Sequence, residues 1–427
     1  MIHLPIRVTM LMLVLGVLWP YSMTSAAEPY QRFVTLSEQA EHSDAIALAE
    51  RIGVDDKQQV TKFVIRKISS QNTVELIPGA TLSLLGIPKG GELTHQLLFA
   101  HKTKEGVLEW SRGWITSSEP ASEALWKYLL EAPKSNVAAS ERLEYFLKFF
   151  ESDDRAIAYD VFWELDSAPV KDRWACASKL PREKLRASLK NPEKLHMRRD
   201  LYAELLGYCG DQTDAEFLLA HLKVPSANFR PGIQGYVIGY LWLTGEHGLD
   251  VIDELKLGPK AINFSECHDA MQSLRFMWYC GQDRIGKERL CQSMRALIEQ
   301  SEFADLAISD LARWKDWSVQ DCLMTVYGQG EYTDPPMKRA IVRFLLTCGQ
   351  VTSPTQRGET DGTPTSDLPP HAIKARANLD ELRRRDPKTV KDAERFWFIP
   401  KSSKPAAPIQ VEPYRRGTAS RGWGFGC

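Results

Sequence analysis

The chain has 427 residues, which is more than one ordinary hydrophobic core holds, and this length predicts two or three folded units. Its 43% hydrophobic and 26% charged residues are typical of a folded protein and exclude a wholly disordered chain. The formal net charge is −1, yet residues 28–370 carry −9 and residues 371–427 carry +7, so a mildly acidic body precedes a basic tail.

The N-terminus has the pattern of a secretory signal. Arg7 precedes an apolar run over residues 8–19, and small residues follow up to Ala27. The run is shorter than the roughly 20 residues that span a membrane. We therefore predict that residues 1–27 are a signal peptide cleaved near Ala27. The mature chain would then be exported to the periplasm, cell surface or extracellular space, without a transmembrane span. An uncleaved signal anchor is the alternative.

Residues 28–118 are predicted to form a small antiparallel β-sheet or β-barrel. Short apolar or alternating runs recur there between turns rich in glycine and proline. In one of these runs Thr61, Phe63 and Ile65 alternate with charged residues such as Lys62. Because alternate residues of a strand point to opposite faces, these three are expected to be buried together.

Residues 119–350 are predicted to form a helical-repeat domain. Leu143, Phe146, Leu147 and Phe150 lie at i, i+3, i+4 and i+7, which is one apolar face of a helix. The spacing of apolar residues therefore changes from a strand period to a helix period beyond the sheet region.

A repeat of about 35 residues is the strongest pattern in the chain. Apolar segments end at Gly210, Gly245, Gly281 and Gly349, with a degenerate copy ending at Lys315, so the intervals are 35, 36, 34 and 34 residues. The pattern of each unit predicts two helices joined by a turn. The glycine is expected to take the left-handed conformation that ends the first helix. Such hairpins bury their apolar faces only by stacking, which predicts an α-α superhelix.

The C-terminal part is predicted to contain three further segments. Residues 351–370 are rich in Thr, Ser, Pro and Gly and are interpreted as a flexible linker. Residues 371–399 are interpreted as a short helical segment, and residues 400–427 as a disordered basic tail.

The repeats resemble a known family. The Leu-Leu-Gly-x-Cys-Gly-Asp pattern of residues 205–211, followed by a second apolar helix, resembles HEAT-like repeats. The whole arrangement resembles exported HEAT-like proteins of planctomycete-type bacteria, with the repeat resemblance covering residues 140–350. Residues 43–46 and 96–100 resemble the OB-like barrel of netrin and metalloproteinase-inhibitor modules. Those inhibitors act through an N-terminal cysteine, and residues 28–175 contain no cysteine, so this resemblance implies only a fold.

The cysteines and histidines give no catalytic or metal-binding pattern. Cys209, Cys280 and Cys348 share one repeat position, too far apart to pair with each other, and are predicted to be small core residues. Whether other disulfides form is left open. Cys267 and His268 are adjacent on a predicted helix and point in different directions, whereas a metal site needs three or four convergent ligands. We therefore predict no catalytic residue, metal site or cofactor.

Two groups of aromatic and basic residues are candidates for binding a partner. Trp314 and Trp317 lie in the degenerate repeat, where an exposed aromatic anchor is one interpretation and a packed core residue is the other. Arg415, Arg416 and Trp423 lie in the basic tail, where adhesion to an acidic partner is one interpretation and a solvated end is the other.

These patterns predict a non-enzymatic, exported helical-repeat scaffold that binds other envelope or extracellular proteins and no nucleic acid. The chain has no nucleophile elbow, HExxH or phosphate-loop motif. One alternative is an envelope hydrolase or glycan-active enzyme with a cleft between the β domain and the repeats, which two carboxylates converging in a deep pocket would favour. The other is that the β domain is the functional module and the repeats carry it.

Overall fold

The computed structural model describes residues 34–55, 57–70, 77–85, 95–112, 123–191, 196–225, 230–258, 263–350 and 368–395. Within these ranges the protein is mainly helical, with seventeen α-helices and one five-stranded antiparallel sheet near the N-terminus. The prediction of a mainly helical protein that begins with a small antiparallel sheet is confirmed. All of these elements belong to one unit that begins at Thr35.

The sheet is open, with two edge strands among the described residues. The strands are hydrogen-bonded in the order β3-β2-β1-β4-β5, and every neighbouring pair is antiparallel. Their bounds are β1 (Ala45–Asp55), β2 (Val60–Ser70), β3 (Thr81–Leu85), β4 (His95–Lys102) and β5 (Leu108–Arg112).

Both faces of the sheet are packed. Thr61, Phe63 and Ile65 are fully buried while Lys62 is exposed, which confirms the alternation predicted for this strand. Phe63 and Ile65 form a small core with Ala47, Ala49 and Leu98 on one face. On the opposite face, Ile46, Leu48, Leu97 and Phe99 join the large core made with the helices.

The helices form the rest of the described chain. A short helix that the sequence pattern did not predict, α1, precedes the sheet. The bounds are α1 (Leu36–Glu41), α2 (Glu123–Glu131), α3 (Ala139–Leu147), α4 (Arg155–Ser167), α5 (Val170–Ala175), α6 (Arg182–Lys190), α7 (His196–Cys209), α8 (Gln212–Lys223), α9 (Ile233–Thr244), α10 (Glu246–Ile252), α11 (Phe264–Cys280), α12 (Lys287–Ala296), α13 (Ser301–Trp314), α14 (Gln320–Val326), α15 (Pro335–Cys348), α16 (Pro370–Arg385) and α17 (Pro387–Arg395).

Five of these helices end at regular intervals along the chain. Helices α7, α9, α11, α13 and α15 end at Cys209, Thr244, Cys280, Trp314 and Cys348, which are 35, 36, 34 and 34 residues apart. A further helix begins within seven residues of each of the first four ends. The period read from the sequence is therefore the period at which helices end.

The predicted role of the turn glycines is wrong at most positions. Gly210, Gly281 and Gly349 do not have positive φ angles, whereas Lys315 takes the left-handed conformation with φ 60° and ψ 33°. At Gly281 a Cβ atom would lie 2.4 Å from the Met277 carbonyl oxygen. Glycine is needed there because the chain turns tightly against the last carbonyls of the helix, not because of its backbone angles.

Helices α7 and α9 approach each other more closely than ordinary side chains allow. A Cβ atom on Gly207 would lie 2.5 Å from the Gly239 Cα atom, and one on Gly239 would lie 2.2 Å from the Ala203 carbonyl oxygen. Gly235 faces the Asp200 backbone at a similarly short distance, and its N–H donates to the Asp200 carboxylate at 2.7 Å. Small residues at a spacing of four on both helices make this contact possible.

The last two helices pack on α15, the last of the five periodic helices. Helices α16 and α17 contact α15 and each other, and Leu379, Leu382 and Val390 are buried there. Within the described residues, no helix has the length and apolar composition needed to cross a membrane.

Candidate functional site

The ends of the periodic helices carry large aromatic side chains in contact with one another. We call this set the aromatic edge. Its contacting members are Trp174, Tyr208, Trp242, Trp278, Arg284, Lys287 and Trp314, and we include the exposed Tyr279 because it follows Trp278 in α11.

The first half of the aromatic edge is centred on Trp242, at the end of α9. The Tyr208 ring, from the preceding periodic helix, meets the Trp242 ring edge to face, with centroids 4.6 Å apart. The Trp174 ring lies on the same indole at 6.5 Å. Trp242 is 1% exposed, whereas Trp174 is 39% exposed, so the outer ring faces solvent while the inner one is core.

The second half consists of two stacked indoles. The rings of Trp278 and Trp314 are 4.2 Å apart between centroids, with planes only 4° from parallel. Trp314 is 6% exposed and Trp278 is half-buried. Beside them Tyr279 is 44% exposed. The buried indole N–H groups of Trp242 and Trp314 have no hydrogen-bond partner among the described residues.

The loop between α11 and α12, together with the first residue of α12, supplies the cations of both halves. Between α11 and α12, the Arg284 guanidinium lies 4.9 Å from the Trp242 ring and donates to the Trp242 carbonyl oxygen at 2.9 Å. The Lys287 ammonium lies 4.7 Å from the Trp278 ring and donates to the Trp278 carbonyl oxygen. Cations held over aromatic faces are attracted by the ring quadrupole. Both cations remain exposed.

The backbone of this loop is strained. Gln282 and Asp283 have φ angles of 50° and 55°, in the left-handed region that side chains with a Cβ atom rarely adopt. The Gly286 N–H donates to the Glu246 carboxylate at 2.8 Å, which ties the loop to the start of α10. Strained backbone of this kind persists where surrounding contacts hold it, and it is concentrated at functional sites.

The structure describes two of the five residues predicted to bind a partner. Trp314 is buried against Trp278, while Trp317 is half-buried between Phe344 and His371. The ring contacts of Trp317 are with Phe344 and His371, and neither residue belongs to the aromatic edge. Arg415, Arg416 and Trp423 lie outside the described residues. A binding role for these five residues stays a prediction.

The sequence pattern missed the exposed members of the aromatic edge. Trp174 lies in a short helix before the first clear repeat, so the repeat alignment did not include it. Arg284 lies in a loop where Gln282 and Asp283 adopt left-handed angles, which nothing in the sequence signals, and Lys287 begins the helix that follows this loop. The one indication in the sequence is that Trp242 and Trp278 each lie three residues before the turn glycine of their unit.

Two buried carboxylates form a separate polar cluster on α4. Asp160 accepts from the Leu36 N–H at 2.5 Å and from the Tyr128 hydroxyl at 2.8 Å. Glu164 accepts from the hydroxyls of Thr35 and Ser37 and from Arg142 at 3.2 Å. Burial, together with the neighbouring Glu164, raises the pKa of Asp160 to about 7. These carboxylates hold the start of α1, and protein donors occupy their oxygens.

The thiols are mostly buried and poorly nucleophilic. Cys176, Cys267, Cys291 and Cys348 are buried free thiols, and burial raises the pKa of Cys267, Cys291 and Cys348 to about 12. Cys280 is disulfide-bonded. Within the residues that the structure describes, no group of three His, Cys, Asp or Glu side chains is placed to hold a metal ion.

Comparison with known proteins identifies no relative of this chain. No family model, no curated protein and no solved structure matches the chain.

Proposed function

We propose that the protein is a non-enzymatic, exported helical-repeat scaffold that binds a partner protein along the aromatic edge. The observation that carries the proposal is two groups of contacting aromatic rings at helix ends, one around Trp242 and one of Trp278 with Trp314, each with a cation over a ring. Tryptophan, tyrosine and arginine are the residues most enriched where protein interfaces gain their affinity. Trp174, Tyr279 and Arg284 expose such side chains to solvent beside the buried rings, and Lys287 adds a second exposed cation.

The proposed α-α superhelix of HEAT-like hairpins is supported by contacts between residues one repeat apart. The buried Arg275 Nε donates to Asp310 at 2.5 Å across 35 positions, and Arg230 Nε donates to Glu266 at 2.6 Å across 36 positions. Trp278 and Trp314 are likewise one repeat apart. A stack in which each hairpin packs on the next produces such contacts.

Export and the proposed kinship with exported HEAT-like proteins rest mainly on the sequence. The apolar run at residues 8–19 lies outside the described residues, and the OB-like character of the sheet is likewise an inference from resemblance.

The buried carboxylate pair supports the scaffold over the hydrolase alternative. Asp160 and Glu164 do converge, but they are 0% and 7% exposed, and their partners are side chains and backbone of the protein itself. A glycan-active site needs one carboxylate that reaches the substrate. The pair therefore fits a structural role in holding α1.

A triple substitution tests the proposed function. The full chain is immobilised and exposed to a native envelope fraction, and retained proteins are quantified by mass spectrometry. Trp174→Ala, Arg284→Ala and Lys287→Ala together remove exposed groups of the aromatic edge. The matched control, Val224→Ala with Lys223→Ala and Lys104→Ala, removes an exposed apolar group and two exposed cations elsewhere.

We expect at least one protein to be retained by the wild type and the control and to be reduced about tenfold or more by the triple substitution, as truncation of an interface anchor predicts. Equal retention by all three would contradict a partner site at the aromatic edge. If the wild type retains no envelope protein, the scaffold function should be abandoned.

A further inference from the structure

The three C-terminal helices have a charge opposite to that of the body of the protein. Helices α15, α16 and α17 contain eleven Lys and Arg against five Asp and Glu if Asp386 between the last two is counted, a net of +6. They pack on one another at the end of the repeats. The positive charge is therefore concentrated on one group of helices.

Part of this charge is neutralised by ion pairs within the group and with α14. Lys338 pairs with Asp386 at 3.2 Å, and Lys374 pairs with Asp321 of α14 at 2.6 Å. Arg383 alone pairs with two carboxylates, those of Asp380 and Glu394, each at 2.9 Å. These cations hold the helices together and are not available to a partner.

Four other cations are exposed, and their side chains form neither an ion pair nor a hydrogen bond among the described residues. They are Arg343, Arg384, Lys388 and Lys391, which we call the basic platform. Lys388 and Lys391 are three positions apart on α17 and are therefore neighbours on one face of that helix. Helix α17 packs on α15, which carries Arg343.

We propose that the basic platform binds the surface of a membrane that contains anionic lipids. Several cations on an exposed surface are attracted to lipid phosphates without the need for a shaped pocket. Residues 28–334, which precede these three helices, carry −10, so an anionic surface repels the body while it attracts this end, which orients the molecule. The proposal does not depend on the aromatic edge.

The chemistry of the platform favours lipid over single-stranded nucleic acid. Proteins that bind single strands combine cations with exposed aromatic rings on which bases stack. Helices α16 and α17 contain no Trp, Tyr or Phe, and Phe344 of α15 is buried. The platform offers charge alone, as an anionic membrane surface requires.

Vesicle co-sedimentation of the full chain tests this proposal. One set of vesicles contains equal amounts of phosphatidylcholine and phosphatidylglycerol, and the other contains phosphatidylcholine alone. We compare the wild type with R343Q/R384Q/K388Q/K391Q. The control K57Q/K62Q/K104Q/K223Q removes the same charge from exposed lysines on other elements.

We expect the wild type and the control to bind the anionic vesicles more strongly than the neutral ones, and less so as salt is added. Each platform cation is expected to contribute about fivefold to partition, so the platform substitution should weaken binding about a hundredfold or more. Equal loss in both variants, or binding to neutral vesicles that the platform substitution leaves unchanged, would overturn the proposal. So would binding to a single-stranded oligonucleotide without binding to anionic vesicles. Unchanged circular dichroism shows that each variant is folded.

Discussion

The indole rings of Trp278 and Trp314 stack face to face, 4.2 Å apart and 4° from parallel, across one repeat of the chain. The stack joins the ends of α11 and α13, and Lys287 covers its outer ring. The buried Trp314 ring therefore both stabilises the fold and fixes the position of the Trp278 ring, which is partly exposed to solvent. The following predictions test that stack and the contacts around it.

Removing Trp314 should destabilise the protein more than removing Trp278. Trp314 is 6% exposed, so Trp314→Ala leaves a cavity and is expected to lower the free energy of unfolding by about 3–5 kcal/mol. Trp278→Ala should cost less because Trp278 is half-buried. The double mutant should show a coupling of about 0.5–1.5 kcal/mol in urea denaturation. Additive effects would mean that the rings do not stabilise each other.

Adding one methyl group between α7 and α9 should be harmful. A glycine replaced by alanine inside a helix ordinarily gains roughly 0.5–1 kcal/mol. At Gly239 the new Cβ would lie 2.2 Å from the Ala203 carbonyl oxygen, so Gly239→Ala is expected to cost about 1–3 kcal/mol instead. Gly53→Ala in β1 is the control, since nothing lies within 4 Å of its added Cβ. Thermal denaturation that ranks the two variants as equal would contradict the close approach of the helices.

Asp160 should make stability depend on pH. Its pKa in the folded protein is raised to about 7, mainly by burial, so the folded state binds more protons than the unfolded state between about pH 4 and pH 7. The free energy of unfolding should therefore fall as pH rises through this window, by up to about 1.4 kcal/mol per pH unit from this group.

Asp160→Asn is the matched test of that dependence. The amide keeps an oxygen for the Leu36 N–H and carries no charge beside Glu164. Denaturation measured at several pH values should show a flatter profile for Asp160→Asn, with its largest relative gain in stability at the alkaline end. Parallel profiles for the two proteins would assign the pH dependence to other groups.

The thiols should differ sharply in their reaction with alkylating reagents. Cys322 is exposed, whereas Cys267, Cys291 and Cys348 are buried, and the pKa of each of these three is raised to about 12. Because the thiolate is the reactive form, iodoacetamide should label Cys322 first in the folded protein and the other three only after unfolding. Peptide mapping without reduction should also find Cys280 unlabelled and identify its disulfide partner. Rapid labelling of the buried three would contradict the packing of this core.

Much of the fold follows from periodicity in the sequence. Thr61, Phe63 and Ile65 are buried together because a strand alternates its faces, whatever surrounds it. The interval between helix ends is likewise visible in the sequence, because each helix must stop where its apolar segment stops. Local patterns of this kind do not depend on which elements later meet.

The contacts between elements were not predictable in the same way. The pairing of Arg284 with Trp242 depends on a loop in which Gln282 and Asp283 adopt left-handed angles, and neither residue type signals them. The spacing of four between Gly235 and Gly239 does indicate that α9 packs closely against another helix. It does not indicate that this helix is α7. The Leu36 N–H donates to Asp160, which lies 124 positions further along the chain. No periodic pattern in the sequence relates residues so far apart.

Site-specific photocrosslinking tests the proposed partner site most directly. A p-benzoylphenylalanine residue is placed at Tyr279 on the aromatic edge or, as the control, at Val224, which is similarly exposed beyond the end of α8. The proposed function predicts that irradiation in native envelope gives a discrete crosslinked protein from position 279 and none from position 224. Crosslinks from position 224 alone, or the same products from both positions, would contradict binding at the aromatic edge.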